Sequence, residues 1–411
     1  MSTDKIVVIG AGVVGLSIAL EAQARGLTVT VVDREGPAEG ASAGNAGAFA
    51  FSDILPLASP RIIRQAPKWL LDPLGPLSVP PRYALKIAPW MLRFWRASWA
   101  ARVQASTVAQ TALMSLSAKA LDPFLTQHKL AHMLRRRGQL QVYEGEKEFK
   151  ASLPGWKVRQ DAGIAFRHVS GGEIAEIQPG LDARFTHASF TPDWCSITDP
   201  LDYALALAEA FRAGGGKIII AEAARLTATG VETSAGPLAG RVVLAAGAHS
   251  HLLARSAGAK IPLETERGYN TTLPTTTFDL RTQVTFGGHG FVITSLTSGI
   301  RVGGAVELGG LKLPPNYARA DAMLKKAKRF LPGLDITGGT QWMGFRPSLP
   351  DSLPALGPLA RQPNTICAFG HGHLGLTQSA GTAAIIADML QGKPAQIDLA
   401  AFSPQRFTRA S

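Results

Sequence analysis

The first thirty-three residues alternate between apolar runs and glycine-containing turns. Residues 5–9 (KIVVI) are apolar and rich in β-branched side chains, which predicts a strand buried on both faces. Residues 16–25 have helical character and end at Gly26, and residues 28–32 predict a second buried strand that ends in Asp33. The segment therefore predicts a complete βαβ unit.

The turn after the first strand carries three glycines in the spacing G-x-G-x-x-G. Gly10 permits a tight turn, Gly12 lets the backbone approach a pyrophosphate, and Gly15 allows close helix packing. The start of the helix offers N–H groups to phosphate charge, and the acid after the second strand would accept hydrogen bonds from an adenosine ribose. The predicted dinucleotide site comprises Gly10, Gly12, Val13, Val14, Gly15, Asp33 and Arg34.

Two distant segments predict further parts of the same site. Residues 241–248 read as a buried strand that ends in small residues, and residues 365–369 read as a strand followed by a second glycine loop and a helix over 379–390. A small-residue loop at 39–47 can bring backbone N–H groups against a flat ring. The additional predicted cofactor residues are Ser42, Asn45, Ala46, Gly47, Ala246, Gly247, Gly370, Gly372, Leu374, Gly375, Leu376 and Thr377.

The intervening sequence predicts a different architecture. Strand-like patterns at 138–144, 269–273, 286–294 and 299–306 favour an antiparallel sheet, and residues 321–330 predict a helix beside it. Together with the βαβ unit, these patterns predict a mixed α/β protein with two kinds of sheet.

The amino-acid composition limits the kinds of chemistry that the protein can perform. The 411 residues are 46% hydrophobic and 18% charged, which fits two or three globular domains. Cys195 and Cys367 are the only cysteines, so the sequence lacks the spacing of a zinc knuckle, a C-x-x-C pair or a cysteine-ligated iron–sulfur cluster. We expect no metal, and any redox chemistry requires an organic cofactor.

The net charge of +12 is compatible with nucleic acid, an anionic membrane or acidic substrates as partners. No compact basic block and no appended RNA-binding module is visible, so we expect no nucleic-acid partner. The sequence also indicates neither an export signal nor a membrane span, which predicts a cytoplasmic protein.

A tryptophan-rich segment at 67–103 contains Trp69, Trp90, Trp95 and Trp99, four of the seven tryptophans, with basic residues beside them. Two interpretations stay open. The segment is a helical hairpin packed on the cofactor domain, or it is a surface that rests on the inner face of the cytoplasmic membrane to meet quinone.

These motifs together resemble the D-amino-acid oxidase superfamily of flavoproteins over essentially the whole chain. The resemblance rests on the first glycine turn and on four further elements. These are Ser42-x-x-Asn45-Ala46-Gly47, Leu244-Ala245-Ala246-Gly247, Gly344-Phe345-Arg346-Pro347 and Gly370-His371-Gly372-His373-Leu374-Gly375. Within the superfamily, the chain resembles bacterial D-amino-acid dehydrogenases, including those that act on cis-4-hydroxy-D-proline.

The resemblance implies a discontinuous Rossmann-like FAD-binding domain and an antiparallel-sheet α+β substrate domain. We expect the FAD-binding domain at residues 1–84, 148–262 and 339–411. We expect the substrate domain at residues 85–147 and 263–338.

The resemblance also implies roles at the reaction centre. Arg346 would hold the substrate carboxylate with its planar fork. Tyr269 would present a substrate-facing hydroxyl, and His371 and His373 would line the reactive edge of the flavin. Related sarcosine oxidases attach flavin through a cysteine shortly after this arginine, and residues 347–356 contain none, so we expect non-covalent FAD.

The implied function is oxidation of a D-amino acid by hydride transfer to flavin, with a quinone or another acceptor taking the electrons. D-Proline and cis-4-hydroxy-D-proline are candidate substrates. Three alternatives stay open: an oxygen-using oxidase of the glycine or sarcosine type, the catalytic subunit of a heteromeric opine or amino-acid dehydrogenase, and an RNA-modifying oxidase domain. The oligomeric state is left undecided.

Overall fold

The structure is a computed structural model, and it describes residues 5–60, 62–63, 75–274 and 277–407. Its α-helices are α1 (Val13–Ala24), α2 (Ala84–Ala97), α3 (Ala100–Gln127), α4 (Gly145–Asp161), α5 (Gly172–Ile177), α6 (Pro200–Ala213), α7 (Ser250–Ser256), α8 (Ala318–Phe330) and α9 (Gly375–Leu390). Its strands are β1 (Lys5–Ile9), β2 (Thr28–Asp33), β3 (Ala48–Phe49), β4 (Leu77–Ser78), β5 (Leu134–Arg135), β6 (Gln139–Glu144), β7 (Arg167–Ser170), β8 (Phe185–Thr191), β9 (Cys195–Ile197), β10 (Lys217–Ile220), β11 (Ala223–Thr227), β12 (Gly230–Thr233), β13 (Gly236–Ala239), β14 (Arg241–Leu244), β15 (Glu264–Leu273), β16 (Gln283–Phe286), β17 (Phe291–Leu296), β18 (Gly299–Glu307), β19 (Thr340–Ser348), β20 (Ala355–Leu359) and β21 (Gln362–Phe369).

The first sheet has six strands in the order β10-β2-β1-β14-β21-β20. The first five run parallel, and β20 is antiparallel to β21. The predicted βαβ unit is confirmed, and the distant strands β14 and β21 return to the same sheet as predicted. Their carboxyl ends therefore meet at the edge where open α/β sheets bind ligands.

Both faces of this sheet are covered, which explains why its strands are apolar throughout. On β1, Ile6 and Val8 pack in the cluster that contains α1, α3, α6 and α9. The alternate residues Val7 and Ile9 pack in a second cluster with α7 and the small β11-β12-β13 sheet.

The second large sheet has nine strands, in the order β19-β15-β18-β17-β16-β6-β8-β7 with β4 paired to β18. Alternate residues of β6 and β16 divide between its faces. Leu140, Val142, Val284 and Phe286 pack against α8, whereas Gln283 and Thr285 line a cavity on the other face.

This sheet differs from the predicted antiparallel one in two respects. It is mixed, because β16 runs parallel to β6 and β4 runs parallel to β18. The prediction of one continuous strand over 286–294 is wrong. A turn at Gly287–His289, followed by Gly290 in the left-handed conformation, separates β16 from β17.

The structure also differs from the predicted domain boundaries at two places. Helix α3 was assigned to the substrate domain, but its apolar residues pack in the same cluster as α1 and α9 of the first sheet. Strands β7 and β8 were assigned to the FAD-binding domain, but they pair with each other and extend the nine-stranded sheet through β6. Both differences arise from long-range packing, which the local sequence pattern does not reveal.

Residues 84–103 of the tryptophan-rich segment form α2 and the start of α3, with a break at Ser98 and Trp99. Trp90 stacks on Phe94 inside a cluster, whereas Trp95 and Trp99 are 47% and 49% exposed and meet edge to face. Trp69 lies outside the described residues. Among those residues, no helix is both long and apolar enough to cross a bilayer.

Candidate active site

A cavity of about 860 Å³ lies between the carboxyl edge of the six-stranded sheet and the polar face of the nine-stranded sheet. Its lining includes the first glycine turn, the small-residue loop, the end of β14 and the C-terminal glycine loop. The structure therefore brings together segments that are more than 300 residues apart in the chain.

The glycine turn has the close approaches that its spacing predicts. Gly10 has φ +111°, and a side chain there would strike the backbone of Ala245 at the end of β14. A side chain at Gly15 would strike the carbonyl of Gly10, so this glycine serves helix packing and does not line the cavity. Helix α1 begins after Gly12, which has no side chain to cap it, and its N-terminal residues Val13 and Val14 line the cavity.

The carboxylate of Asp33 organises the start of the site. Its Oδ2 accepts the N–H of Ala11 at 2.8 Å, and its Oδ1 accepts the N–H groups of Glu35 and Gly36 at 2.9 and 3.0 Å. Asp33 and the neighbouring Arg34 both line the cavity. The acid at the end of β2 thus fixes the backbone around the position predicted for the adenosine ribose.

The small-residue loop is held by its own side chains and by the second sheet. Asn45 donates to the carbonyl of Ser42 at 2.8 Å, and the Oγ of Ser42 accepts the N–H of Val13 at 2.9 Å. From the second sheet, Arg301 donates to the carbonyl of Asn45 at 2.7 Å, and Asn270 donates to that of Gly44 at 2.7 Å. Burial lowers the pKa of the Arg301 guanidinium.

The C-terminal loop places two histidines in different environments. His371 is buried, and its Nε2 lies 3.1 Å from the Oγ1 of Thr382, so desolvation lowers its pKa to about 3. His373 is more exposed, and its Nε2 lies 3.7 Å from a carboxylate oxygen of Asp53. Burial alone would raise the pKa of Asp53, but His373 and Arg159 outweigh it and lower that pKa.

Arg346 projects from β19 into the cavity. Its guanidinium crosses Gly268 of β15 and donates to the carbonyls of Ala305 at 2.9 Å and Gly304 at 3.4 Å. In the described part of the chain, no carboxylate lies within salt-bridge distance of it. Burial lowers its pKa, an effect that the nearby charge of Glu266 opposes. A half-buried guanidinium with free N–H groups and no direct ion pair is suited to an anionic ligand.

The hydroxyl of Tyr269, which was predicted to face the substrate, is bonded to other residues of the protein in this structure. Its hydroxyl donates to Glu307 at 3.1 Å and accepts the N–H of Asn316 at 3.0 Å, within the core beneath α8. Side chains alternate along β15, so Gly268 and Asn270 share the face toward the cavity, whereas Tyr269 borders the cavity but packs in the core cluster beneath α8.

The remaining predicted residues occupy the cavity wall with three exceptions. The predicted cofactor residues that line it are Gly10, Gly12, Val13, Val14, Asp33, Arg34, Ser42, Asn45, Ala46, Ala246, Gly247, Gly372, Leu374, Gly375, Leu376 and Thr377, and the histidines His371 and His373 line it as well. Gly15, Gly47 and Gly370 lie behind the wall. Gly47 and Gly370 have φ +69° and +90°, so they shape the two loops.

The polar or aromatic lining residues that sequence reasoning missed include Asp53, Glu266, Asn270, Arg301 and Trp342. The indole of Trp342 occupies the space into which side chains at Gly44 and Gly344 would project, a contact that only the folded structure shows. Glu266, Asn270 and Arg301 are recognisable only once the strand faces are known.

The cavity fits FAD. Its glycine-lined wall continues from Asp33 past α1 to Thr377, and α1 and α9 both begin beside it without side-chain caps. This length and these helix ends suit an extended dinucleotide with a pyrophosphate and an anionic ring edge.

Comparison with known proteins agrees with this geometry. Residues 5–389 match the DAO family model, described as FAD dependent oxidoreductase. The chain belongs to this family. It is 34% identical over 424 residues to a D-amino-acid oxidase of Bradyrhizobium diazoefficiens, with 98% of each chain covered. It is 30% identical over 408 residues to a D-amino acid dehydrogenase of Rhizobium johnstonii, covering 96% of this chain and 97% of the relative.

The fold is similar to that of two solved DAO-fold structures. Glycine oxidase from Geobacillus kaustophilus superposes with a TM-score of 0.79 at 20% identity, covering 99% of this chain and all of the other. L-Proline dehydrogenase from P. horikoshii superposes with a TM-score of 0.75 at 21% identity, covering 98% of each. The DAO-family chain is an FAD-dependent oxidoreductase, and the predicted fold class is confirmed.

Proposed function

We propose that this DAO-family chain oxidises a D-amino acid at its α-carbon and passes the electrons to an acceptor other than oxygen, such as a quinone. The observation that carries the proposal is the Arg346 guanidinium, which lies half-buried in the cavity wall without a carboxylate in salt-bridge distance among the described residues. The full-length relatives named for D-amino acids support the stereochemical preference.

The chain's own residues would bind and orient the substrate. Arg346 holds the carboxylate through its remaining N–H groups, which fixes the position of the α-carbon. The chemistry that FAD supplies in such a site is acceptance of a hydride. The α-carbon would give up its hydrogen with the electron pair to the bound flavin and the nitrogen would release a proton to water, so that the C=N bond of an imino acid would form. Where the amine is primary, water would then hydrolyse the imino acid to the keto acid and ammonia. His371 is neutral at physiological pH because its pKa is about 3, so it contributes no positive charge.

A second candidate is an oxidase that passes electrons to oxygen, and a full-length relative named D-amino-acid oxidase favours it. One experiment separates the two. The flavin absorbance of the purified holoenzyme is recorded near 450 nm without oxygen, with D- and L-amino acids, D-proline, cis-4-hydroxy-D-proline, glycine and sarcosine, and air is then admitted. Bleaching by a D-substrate with slow recovery in air is expected. Fast recovery identifies the oxidase, and the absence of bleaching by every amine overturns the proposed function.

For the acceptor, we propose that the exposed face of α2 and early α3 rests on an anionic membrane. Residues 75–121 contain no Asp or Glu but six basic residues. Their exposed apolar side chains include Leu85, Leu92, Trp95 and Trp99, and the guanidinium of Arg102 lies over the Trp99 ring. Tryptophan beside basic charge suits the interface of an anionic bilayer, where a quinone is accessible.

A further inference from the structure

Glu266 is a buried carboxylate that has no direct hydrogen-bond or ion-pair partner among the described residues, although its charge acts on Arg346 at longer range. It is 5% exposed and lines the cavity, yet no described residue forms an ion pair or a hydrogen bond with its side chain. Buried charges in proteins are ordinarily paired, because desolvating a single charge is expensive. A carboxylate left in this state in a cavity wall therefore indicates a cationic ligand.

Two neighbouring acids of the nine-stranded sheet, the buried Glu307 and the half-buried Glu264, differ in this respect. Glu307 pairs with Arg267 at 3.0 Å and accepts from Tyr269, on the face packed against α8. Glu264, two residues before Glu266, accepts the hydroxyl of Tyr83 at 2.9 Å. Glu266 alone of these three lines the cavity.

The position of Glu266 relative to Arg346 specifies the cation. The two are partners in the β15–β19 register, but the guanidinium lies over Gly268, two residues further along β15. Residues two apart on one strand face are about 7 Å apart. A free guanidinium and a free carboxylate at this spacing match a ligand whose negative and positive groups are separated by one carbon, as in an α-amino acid.

We propose that Glu266 binds the α-ammonium of the substrate while Arg346 binds its carboxylate, so that the site selects amino acids over acids that lack the amine. This inference rests on the proposed function and extends it to a residue that orients the reacting nitrogen. The alternative ligand for Glu266, a cationic side chain, would be separated from the carboxylate by several more atoms than this spacing accommodates.

The test is equilibrium binding to the dithionite-reduced holoenzyme without oxygen, where no turnover occurs. The ligands are matched pairs that differ in the amine: D-alanine with propionate, and D-proline with cyclopentanecarboxylate. The pair whose amino acid bleaches the wild-type flavin is titrated calorimetrically into wild type, Glu266→Gln and Glu266→Asp. The control is Glu264→Gln, on the same strand but paired with Tyr83.

In Glu266→Gln we expect the affinity for the amino acid to fall roughly 10- to 100-fold, with the affinity for the matching acid unchanged or higher. Glu266→Asp should keep part of the discrimination, and Glu264→Gln should keep all of it. An equal loss for both ligands, or undiminished discrimination in Glu266→Gln, overturns the role of Glu266. D-Arginine and D-lysine are titrated alongside. A loss of affinity confined to these two ligands would also overturn the role of Glu266. If no D-amino acid bleaches the wild type, the proposed function itself has failed.

Discussion

The guanidinium of Arg346 occupies the space in which Gly268 would carry a side chain. Arg346 belongs to β19, and its hydrogen-bond acceptors belong to β18, so its side chain must cross the intervening strand β15. A glycine at the crossing point lets the side chain lie flat against the sheet. The group that we propose binds the substrate carboxylate is thus held by contacts with two strands besides its own.

We expect Gly268→Ala to displace the guanidinium, because the added methyl group would overlap its Cζ and Nη2 atoms. KM for the amino acid should rise at least about tenfold, since an orienting contact to the substrate is lost. Flavin content should be unchanged, because Gly268 is not among the residues that shape the dinucleotide wall. The control is Gly172→Ala, where a methyl group meets no atom within 4 Å. Kinetics equal to wild type would contradict this role of Gly268.

Arg346→Lys should raise KM strongly while the enzyme keeps FAD. Lysine retains the positive charge but loses the planar fork, so it cannot hold both carboxylate oxygens and also reach the carbonyls of Gly304 and Ala305. Steady-state kinetics and the flavin-to-protein absorbance ratio measure the two quantities separately. Unchanged kinetics would show that the substrate carboxylate is bound elsewhere.

The motifs that could be predicted from sequence are those whose physics is local. One such motif lies within 29 residues: the glycine turn, its two strands and the acid at the end of β2. The geometry of each part is set by the parts next to it in the chain. Which face of each strand lines the cavity could not be predicted from local sequence. Whether Tyr269 or its neighbours look into the cavity depends on which face α8 covers, and α8 begins almost fifty residues later. Glu266 and Arg301 were missed for the same reason.

Acid sensitivity follows from the burial of His371. Its pKa is about 3 in the folded protein and about 6.5 in an unfolded chain, so the unfolded state binds a proton first as the pH falls. Its contribution to stability is complete above pH 6.5 and declines toward pH 3. Between pH 6.5 and 5 the loss is about 2 kcal/mol.

We therefore expect His371→Asn to lose less stability than wild type on acidification, whatever its stability at neutral pH. The measurement is the change in thermal unfolding midpoint between pH 7.5 and 5. His132→Gln, at an exposed site, serves as the control. An identical pH dependence in wild type and His371→Asn would show that His371 is not the titrating group.

FAD should be released completely by acid precipitation. Burial raises the pKa of Cys195 to about 12 and raises that of Cys367 as well, so neither thiol supplies a thiolate for attachment. Neither cysteine lines the cavity. The supernatant should contain all the flavin and the pellet should be colourless. A yellow pellet would demonstrate a covalent bond through another residue.

The double variant Trp95→Ser/Trp99→Ser should weaken binding to anionic vesicles while leaving oxidation of the amino acid by a soluble dye unchanged. The rings of Trp95 and Trp99 are about half exposed and contact each other. Because α2 buries its opposite face through Trp90 and Phe94, replacing Trp95 and Trp99 leaves the core intact. Flotation with phosphatidylglycerol-rich vesicles measures binding, and neutral vesicles and added salt serve as controls because electrostatic attraction contributes. Equal flotation of wild type and variant, or no flotation of wild type, would rule out this face as the membrane contact. Retained flotation with loss of quinone reduction alone would instead place the tryptophans on the electron path.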